Sequence, residues 1–399
     1  LCADALSADL THFYGQVQCV YLDPPGETGG RFECKMRVGG EGWATSRQAV
    51  WLPAYEEASI GGEPSRSAFL SGLLQLSREL LNPTGSVFLH TDYRTSARDR
   101  LLMDEVFGKD NFRNEIVWSY QTGGRSRRCF SRMHDTILFY ARSPAHFFDL
   151  GGVPVKRKES RNNHMKRQVD EKGRAYRSIA TGGKVYIYYD DEPVYPDDVW
   201  SDVSQLQQKD PQRTGYPGQK PQALLDRIIL STTRPGDLVA DLACGSGTAL
   251  ASAAANDRRF LGVDKGGCAF SVCRKRLDPY RMVCQAPLSQ SGAMLDASVL
   301  PGIGYYTVTL NAFTLPEEEL DRFRKEPEDL RLRGLDGVDQ WYAGLLNNGT
   351  FVSYASSLRA KGQPDIATSL EVPLLRGTVA VMVVDILGRR TLWTGSSAV

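Results

Sequence analysis

The sequence predicts an α/β fold with a mostly parallel sheet and helices on both faces, followed by a small C-terminal α/β module. Three observations lead to this prediction. Strand-like and helix-like segments alternate between residues 221 and 277, which is the pattern of a parallel sheet. The stretch "DLACGSGTAL" (241–250) places glycines between a strand and a helix. The stretch "YLDPPGETGG" (21–30) places an acid, two prolines and a glycine directly after an apolar strand.

The composition is that of a folded protein. The chain has 399 residues, 41% of them hydrophobic, and a formal net charge of +1, so it can form one large domain with an appendage, or two domains. No apolar run reaches the roughly 18 residues of a transmembrane helix, and no signal-peptide pattern begins the chain. The eight cysteines form no C-x-x-C pair, so we expect reduced thiols in a cytoplasmic protein and no metal site.

In the first half of the chain, apolar residues at helical or strand-like spacing predict most of the elements. Residues 27–66 show no steady period and are rich in glycine and charge. We therefore predict a long functional loop or lid there. The predicted strands are 14–22, 86–90, 114–120 and 136–141, and the predicted helices are 67–81 and 95–106.

The second half is predicted to alternate until about residue 280 and then to change character. The predicted helices are 221–232, 248–255 and 269–277, and the predicted strands are 237–241 and 260–264. Beyond residue 290 the predicted strands are 305–310, 350–354 and 379–386, with a helix at 316–325. We interpret this tail as a separate small module.

The glycine loop has the features of a nucleoside-binding turn. Gly245 and Gly247 allow the backbone to approach a ligand closely, and the next strand ends in Asp264, 19 residues after Gly245. A carboxylate at that place typically binds ribose hydroxyls. Leu250 stands where a dinucleotide site has its third glycine, which favours a nucleoside ligand without pyrophosphate, such as S-adenosylmethionine. The alternative is an ordinary strand-to-helix turn.

Four separated segments carry a resemblance to a known family. "YLDPPGETGG" precedes "DLACGSGTAL", and between them lie "NEIVWSYQTGGRSRRCFSRMHDTILFYARS" (114–143) and "TGYPGQKPQALLDRIILSTTRPGD" (214–237). Together they resemble the β class of DNA amino-methyltransferases, and they are similar to modification subunits of restriction-modification systems. The resemblance covers about residues 1–280. It implies a Rossmann-like methyltransferase fold with S-adenosylmethionine as cofactor and double-stranded DNA as substrate.

The resemblance also implies roles for individual residues. Asp23 and the carbonyl of Pro24 would accept hydrogen bonds from the target amine, and the rings of Pro24 and Pro25 would hold both acceptors rigid. With Gly26, these residues form the catalytic tetrapeptide. The residues implied to bind the cofactor are Asp4, Lys220, Pro221, Asp241, Ala243, Cys244, Gly245, Ser246, Gly247, Thr248 and Asp264.

Three positions depart from the family pattern. Gly26 stands where the family usually has Tyr or Phe, whose ring stacks on the flipped base. Ala243 stands where Phe is common, and Gly218 where Thr is common. An aromatic residue of the 27–66 segment, such as Phe32 or Trp43, is a candidate for the missing ring.

The middle of the chain is basic. Residues 113–184 contain 16 Lys and Arg against 6 Asp and Glu, an excess of +10. The predicted DNA-binding residues are Arg125, Arg127, Arg128 and Arg132, which lie among aromatic residues in a pattern that suits phosphate and base contacts. The alternative is a solvated loop face. His134 and Asp135 are interpreted as structural.

We therefore predict a DNA methyltransferase that modifies the exocyclic amine of adenine, with cytosine less favoured. Residues 1–285 would form the methyltransferase domain, with a catalytic half (1–112), a recognition insert (about 113–210) and a cofactor half (211–285); an accessory module would occupy 290–399. The alternatives are a degenerate methyltransferase that serves as a recognition subunit, and an RNA or protein methyltransferase. The partners left open are a second copy and a restriction or recognition subunit, with no membrane.

Overall fold

The computed structural model describes residues 4–39, 49–57, 65–121, 126–155, 165–278, 280–285, 292–323, 332–360 and 363–395. The α-helices are α1 (Ser65–Leu80), α2 (Ser96–Phe107), α3 (Gln222–Thr232), α4 (Thr248–Ala255), α5 (Gly267–Arg276) and α6 (Glu317–Asp321). The strands of the first half are β1 (Val17–Leu22), β2 (Arg31–Arg37), β3 (Ala49–Glu56), β4 (Leu81–Thr91), β5 (Phe112–Ser119), β6 (His134–Ala141), β7 (Arg167–Val169), β8 (Ala175–Thr181), β9 (Lys184–Tyr189) and β10 (Val199–Trp200). The remaining strands are β11 (Leu238–Asp241), β12 (Arg259–Gly262), β13 (Val283–Gln285), β14 (Met294–Pro301), β15 (Tyr305–Thr314), β16 (Val338–Asn347), β17 (Thr350–Leu358), β18 (Ser369–Pro373), β19 (Thr378–Asp385) and β20 (Arg390–Thr394).

The central sheet has seven strands in the order β10-β5-β6-β4-β1-β11-β12. The pairs β1–β4, β1–β11, β11–β12 and β5–β10 are parallel. Strand β6 is antiparallel to both of its neighbours, β4 and β5. The predicted mostly parallel sheet is therefore confirmed.

Helices cover both faces of this sheet, as predicted. On one face, Leu70, Leu73 and Leu74 of α1 and Met103 of α2 pack against apolar side chains of β1 and β4. On the other face, α3 and α4 pack against the side chains that alternate with those, including Tyr21. Strand β1 is buried along its whole length because it lies between helices on both sides, which is typical of a parallel sheet.

The carboxyl ends of four parallel strands meet at one edge of the sheet. Strand β1 leads into Asp23, β4 ends at Thr91, β11 ends at Asp241, and the chain after β12 reaches Asp264. Ligands of open α/β sheets bind at this edge. The topology therefore brings Asp23, near the start of the chain, to the same edge as Asp241 and Asp264, more than 200 residues later.

The prediction of a long loop at 27–66 was wrong. Strands β2 and β3 form an antiparallel hairpin whose inward side chains alternate, with Cys34, Met36, Val50 and Leu52 all buried. The two strands are short and separated by polar residues, so the alternation does not stand out over the segment as a whole. Trp43 lies outside the described residues.

The expectation that all cysteines are reduced was also wrong. Cys34 of β2 and Cys268 of α5 form a disulfide across 234 residues of sequence. Cys19, Cys129, Cys244 and Cys273 are free. Sequence spacing could not show this pair, because only the packing of the hairpin on α5 brings the two residues together.

The C-terminal part contains the predicted strands at 305–310, 350–354 and 379–386 as β15, β17 and β19, the predicted helix at 316–325 as α6, and further strands. Its described residues form a five-stranded sheet (β13-β17-β16-β19-β20) and a three-stranded sheet (β14-β15-β18), with α6 as their single helix. Its core is continuous with that of the hairpin and α5. A polar network reinforces this contact, since Asp339 accepts a hydrogen bond from Ser271 and pairs with Lys275. The domain boundaries given above stay predictions.

Strands β7, β8 and β9 form a small sheet of their own within the predicted recognition insert. The predicted insert (about 113–210) also supplies β5, β6 and β10 to the central sheet, so it is not separate from that sheet. The chain leaves the central sheet towards β7 after Ala141, which pairs with Ser86 near the start of the apolar run of β4, at the edge opposite the carboxyl ends. Among the described residues, none of the helices has the length and apolar character needed to cross a bilayer.

Candidate active site

A cavity of about 680 Å³ lies at the carboxyl edge of the central sheet. This volume is in the usual range for small-molecule and cofactor sites. The predicted site residues that line it are Asp4, Asp23, Pro24, Pro25, Gly26, Lys220, Asp241, Ala243, Cys244, Gly245, Ser246, Thr248 and Asp264. Pro221 and Gly247 are the two members of the predicted catalytic and cofactor set that do not line it.

Asp23 directly follows the last residue of β1 and pairs with Lys220. The Lys220 ammonium forms an ion pair with Oδ2 of Asp23, although the two residues are 197 apart in sequence. The carboxylate is partly exposed to the cavity, with 29% of its side chain accessible. Because a carboxylate can accept about four hydrogen bonds, Asp23 can bind Lys220 and a second donor together.

The glycine loop has the conformation that its sequence predicts. Gly245 and Gly247 have φ of +47° and +72°, which favours glycine over residues with a side chain. A Cβ at Gly247 would lie 2.6 Å from the Cys273 sulfur. The backbone N–H of Gly245 donates to Oδ2 of Asp264 over 2.9 Å, and Gly266 donates to Oδ1 over 2.8 Å. Asp264 thus joins the loop to the next strand.

The cavity is electrically acidic. The pKa of Asp241 is raised to about 8, mainly by burial and also by the neighbouring charges of Asp23 and Asp264, against the opposing effects of the Ala243 N–H and Lys220. Burial also raises the pKa of Asp264 above its usual range. Three cationic side chains, Arg66, Lys220 and Lys265, line the cavity against eight carboxyl side chains: Asp4, Asp23, Glu56, Glu57, Asp92, Asp135, Asp241 and Asp264. The cavity therefore favours a ligand that carries positive charge.

Two of the three positions that depart from the family pattern, Gly26 and Gly218, lie against side chains of the β2–β3 hairpin. A Cβ at Gly218 would be 2.9 Å from the Tyr55 hydroxyl, and Gly218 has φ of +74°. A Cβ at Gly26 would be 3.4 Å from the carboxylate of Glu57. Tyr55 lines the cavity and stacks on Phe32, with 4.7 Å between the ring centroids. The hairpin therefore occupies space beside both glycines.

A hydrogen-bonded chain of side chains that no sequence pattern indicated lies in the cavity wall. The Tyr21 hydroxyl is 3.0 Å from Nδ1 of His90, and Nε2 of His90 is 3.1 Å from Asp135. Tyr120 donates to the other oxygen of Asp135 over 3.0 Å. Burial opposes ionisation of Asp135, but the bonds and charges of His90, Tyr120 and Lys220 hold its pKa below the usual range.

Asp135 was interpreted as structural, yet it lines the cavity. One available signal was position, because polar residues directly at a strand end, such as His90 and Asp135, tend to lie at the functional edge of an α/β sheet. The sequence could not show that these two strands are neighbours.

Three of the predicted DNA-binding arginines lie in the turn between β5 and β6, at the same edge as the cavity. Arg127, Arg128 and Arg132 are exposed, and the Arg132 guanidinium lies 4.2 Å from the centroid of the Tyr93 ring. Arg125 lies outside the described residues. In the β7–β9 sheet, by contrast, the arginines pair with acids. Arg167 and Arg177 approach Asp190, and Arg174 approaches Asp191.

Similarity to known proteins shows which family this chain belongs to. The model of a family described as "DNA methylase" matches residues 17–270, which include Asp23, the glycine loop and Asp264. The chain belongs to this DNA methylase family. The C-terminal sheets lie outside the matched region, as does Asp4.

Individual relatives of this chain are distant in sequence. "Type II methyltransferase M.EcaI" from Enterobacter cloacae is 24% identical over 313 residues, 65% of this chain and 64% of the relative. "Type II methyltransferase M.BglII" from Bacillus subtilis is 28% identical over 199 residues, 48% of this chain and 51% of the relative. "DNA adenine methyltransferase YhdJ" from Escherichia coli (strain K12) is 24% identical over 263 residues, 66% of this chain and 76% of the relative. The chain thus spans less than two thirds of the first two relatives.

Proposed function

We propose that this DNA methylase transfers a methyl group from S-adenosylmethionine to the exocyclic amine of adenine in a specific DNA sequence, with cytosine the less favoured base. One observation carries the proposal. The Asp23-Pro24 acceptors and the Gly245–Asp264 cofactor segment line the same cavity, although they are more than 200 residues apart in sequence.

The residues present fit this cofactor. S-adenosylmethionine supplies an electrophilic methyl group on a positively charged sulfonium, and the acidic cavity suits that charge. Asp264 would bind ribose hydroxyls, and its bonds from Gly245 and Gly266 would hold its carboxylate in position. Asp4 lines the same cavity and would contact the adenine ring of S-adenosylmethionine.

Asp23 and Pro24 would act by holding the target amine. The Asp23 carboxylate and the Pro24 carbonyl would each accept one N–H bond, which draws the nitrogen toward sp³ geometry and frees its lone pair for attack. This is catalysis by position and electrostatics. The rings of Pro24 and Pro25 fix φ, so neither acceptor has to be ordered when the substrate arrives.

The choice of adenine rests on the resemblance and on one relative. YhdJ is named a DNA adenine methyltransferase, and this chain covers 76% of it. Other relatives are named Type II methyltransferases, which supports a role beside a restriction partner. A cytoplasmic location is part of this proposal, because the proposed substrate is cellular DNA.

A second candidate function is a methyltransferase without catalytic activity that serves as a recognition subunit. The observations that favour it are Gly26, which provides no ring for the flipped base, and the Glu57 carboxylate, which lies beside it. Such a protein would bind cofactor and DNA without transferring the methyl group.

One experiment separates these functions. The protein is incubated with labelled S-adenosylmethionine and, in parallel, with unmethylated genomic duplex DNA, RNA and protein, and the labelled nucleosides are identified by mass spectrometry. We expect N6-methyladenine in DNA, and its loss in Asp23→Ala. Label in N4-methylcytosine would show that cytosine is the target base, and label in RNA or protein would show another class of substrate. Cofactor binding without any label would favour the recognition subunit.

A further inference from the structure

Arg66 makes a direct contact with the catalytic tetrapeptide. It lies in the first turn of α1, with 7% of its surface exposed, and it lines the cavity. Its Nε–H donates to the carbonyl oxygen of Pro25 over 3.2 Å. Nothing in the sequence pattern singled out this arginine.

The rest of the guanidinium is held by a buried carboxylate. Nη1 and Nη2 of Arg66 donate to the two oxygens of Asp99 over 2.7 and 3.0 Å, and the Asp99 side chain has no exposed surface. Asp99 also accepts a hydrogen bond of 2.6 Å from Thr91 at the end of β4. Because such a fork-to-fork pair has a fixed geometry, the Nε–H of Arg66 points in one direction only.

This contact fixes the acceptors that act on the amine. The ring of Pro25 already fixes its φ, and the peptide between the two prolines is planar. The direction of the Pro25 carbonyl is therefore set by ψ of Pro25 alone, and Arg66 holds it. Once the Pro25 carbonyl is fixed relative to α1, α2 and β4, the Pro24 carbonyl one residue earlier is fixed as well.

Neighbouring residues of the same loop are held in a similar way. The buried carboxylate of Glu27 pairs with Arg98 of α2 over 2.5 Å, and the N–H of Thr28 donates to Glu57 over 3.0 Å. Contacts from outside thus hold the loop on both sides of Gly26, where relatives of the β class carry a ring.

We propose that Arg66, oriented by Asp99, is a positioning residue for methyl transfer that fixes the Asp23-Pro24 acceptors through the Pro25 carbonyl. The inference rests on the proposed function. It differs from a role in stability alone, because it predicts a loss in the chemical step that exceeds any loss of folded protein.

The test uses Arg66→Lys in the full chain. Lysine keeps the charge beside Asp99, but a single ammonium cannot donate in the fixed fork geometry to Asp99 and Pro25 together. We expect cofactor affinity and KM for DNA within about twofold of the parent, and a single-turnover rate lower by about 10- to 100-fold, as for a small misplacement of reacting groups. Thermal unfolding and circular dichroism establish the folded fraction.

The matched control is Arg227→Lys. Arg227 also makes a two-bond contact with an aspartate, Asp202, over 3.0 and 2.6 Å, but that pair does not line the catalytic cavity. Its single-turnover rate should equal that of the parent. If Arg66→Lys fails to fold, the double variant Arg66→Met, Asp99→Met replaces the ion pair with apolar side chains and leaves no charge unpaired; its rate should fall by a similar factor.

A folded Arg66→Lys variant that transfers methyl groups within about twofold of the parent overturns the inference while the proposed function stands. A parent chain that is folded and binds cofactor but methylates no nucleic acid overturns both. A rate that falls only in proportion to the folded fraction assigns Arg66 to stability and also overturns the inference.

Discussion

The carboxylate of Glu57 lies against Gly26. A Cβ added at Gly26 would be 3.4 Å from the carboxyl carbon of Glu57 and from both of its oxygens, which is ordinary van der Waals contact. A methyl group therefore fits at this position, whereas a larger side chain has to displace Glu57. The hairpin strand β3, at whose end Glu57 lies, decides what position 26 of the catalytic tetrapeptide can carry.

This contact predicts opposite results for two substitutions at position 26. Gly26→Ala should methylate DNA at the parental rate. Gly26→Tyr should be slower by about tenfold, because displacing Glu57 releases Thr28 and moves the loop. Single-turnover assays check both variants. In Gly26→Tyr with Glu57→Ala, the ring has space and can stack on the base, but Thr28 still lacks its acceptor, so the rate should recover only in part and Glu57→Ala alone should be slower than the parent. A single Gly26→Tyr variant faster than the parent would contradict this account.

Cofactor binding should depend on Asp264. Asp264→Asn keeps the shape of the side chain but removes its charge, so S-adenosylmethionine affinity should fall by about 1.5–3 kcal/mol. Asp264→Ala should lose more, because Gly245 and Gly266 lose their acceptor as well. Titration calorimetry measures both, with the exposed Asp110→Asn as control. Equal affinity of Asp264→Asn and the parent would place the ribose elsewhere.

The affinity for S-adenosylmethionine should rise with pH. Asp241 has a pKa of about 8 because it is buried, so it is mostly neutral at pH 7, and a cationic ligand favours its ionised form. Affinity should therefore increase as pH rises through about 8 and then level off. Asp241→Asn should remove this dependence. Calorimetry in buffers of different ionisation enthalpy would also detect the proton released on binding.

The same carboxyl group predicts a trend in stability. Its folded pKa of about 8 lies above the ordinary value of 3.8, so its contribution to stability is fully present below about pH 4 and is lost as pH rises through about 8. Asp241→Asn should therefore gain melting temperature relative to the parent between these pH values. If the melting temperatures of the two proteins depend on pH in the same way, Asp241 has an ordinary pKa and the prediction is wrong.

DNA binding should depend on salt through the turn between β5 and β6. Arg127 and Arg128 are exposed there, so replacing both by Ala should flatten the plot of log K against log salt by up to about 2 units. Arg174→Ala with Arg177→Ala is the control, since these arginines already pair with acids and should change the slope less. An unchanged slope in the first variant would move the phosphate contacts to another surface.

Local pattern predicted much of the fold. The helices α1 to α5 and six strands of the central sheet lie within a few residues of their predicted positions, because each has an apolar face at helical or strand spacing and turn residues at its ends. The two-residue strand β10 was not predicted. The prediction was wrong where short strands are separated by polar residues, as in the β2–β3 hairpin. In the C-terminal part the three predicted strands and the predicted helix are present, but the prediction missed the strands β13, β14, β16, β18 and β20.

The site was predictable where one short segment carries its own geometry. Gly245 and Gly247 need positive φ, and the Asp-Pro-Pro sequence restricts its own backbone, so both can be recognised from neighbouring residues alone. The contacts of Lys220 with Asp23, of His90 with Asp135 and of Arg66 with Pro25 join residues far apart in sequence, and pattern analysis could not find them.

The sequence by itself determined the parallel sheet, the glycine turn and the rigid acceptors of the catalytic tetrapeptide, because these depend on backbone preferences and apolar spacing within single elements. Only the tertiary structure decided which charges share the cavity and what lies beside Gly26. The physical reason is that desolvation and ion pairing depend on distance in space. The pKa of Asp241 is raised, and Glu57 contacts Gly26, only after four strand ends and the β2–β3 hairpin have packed around the same cavity.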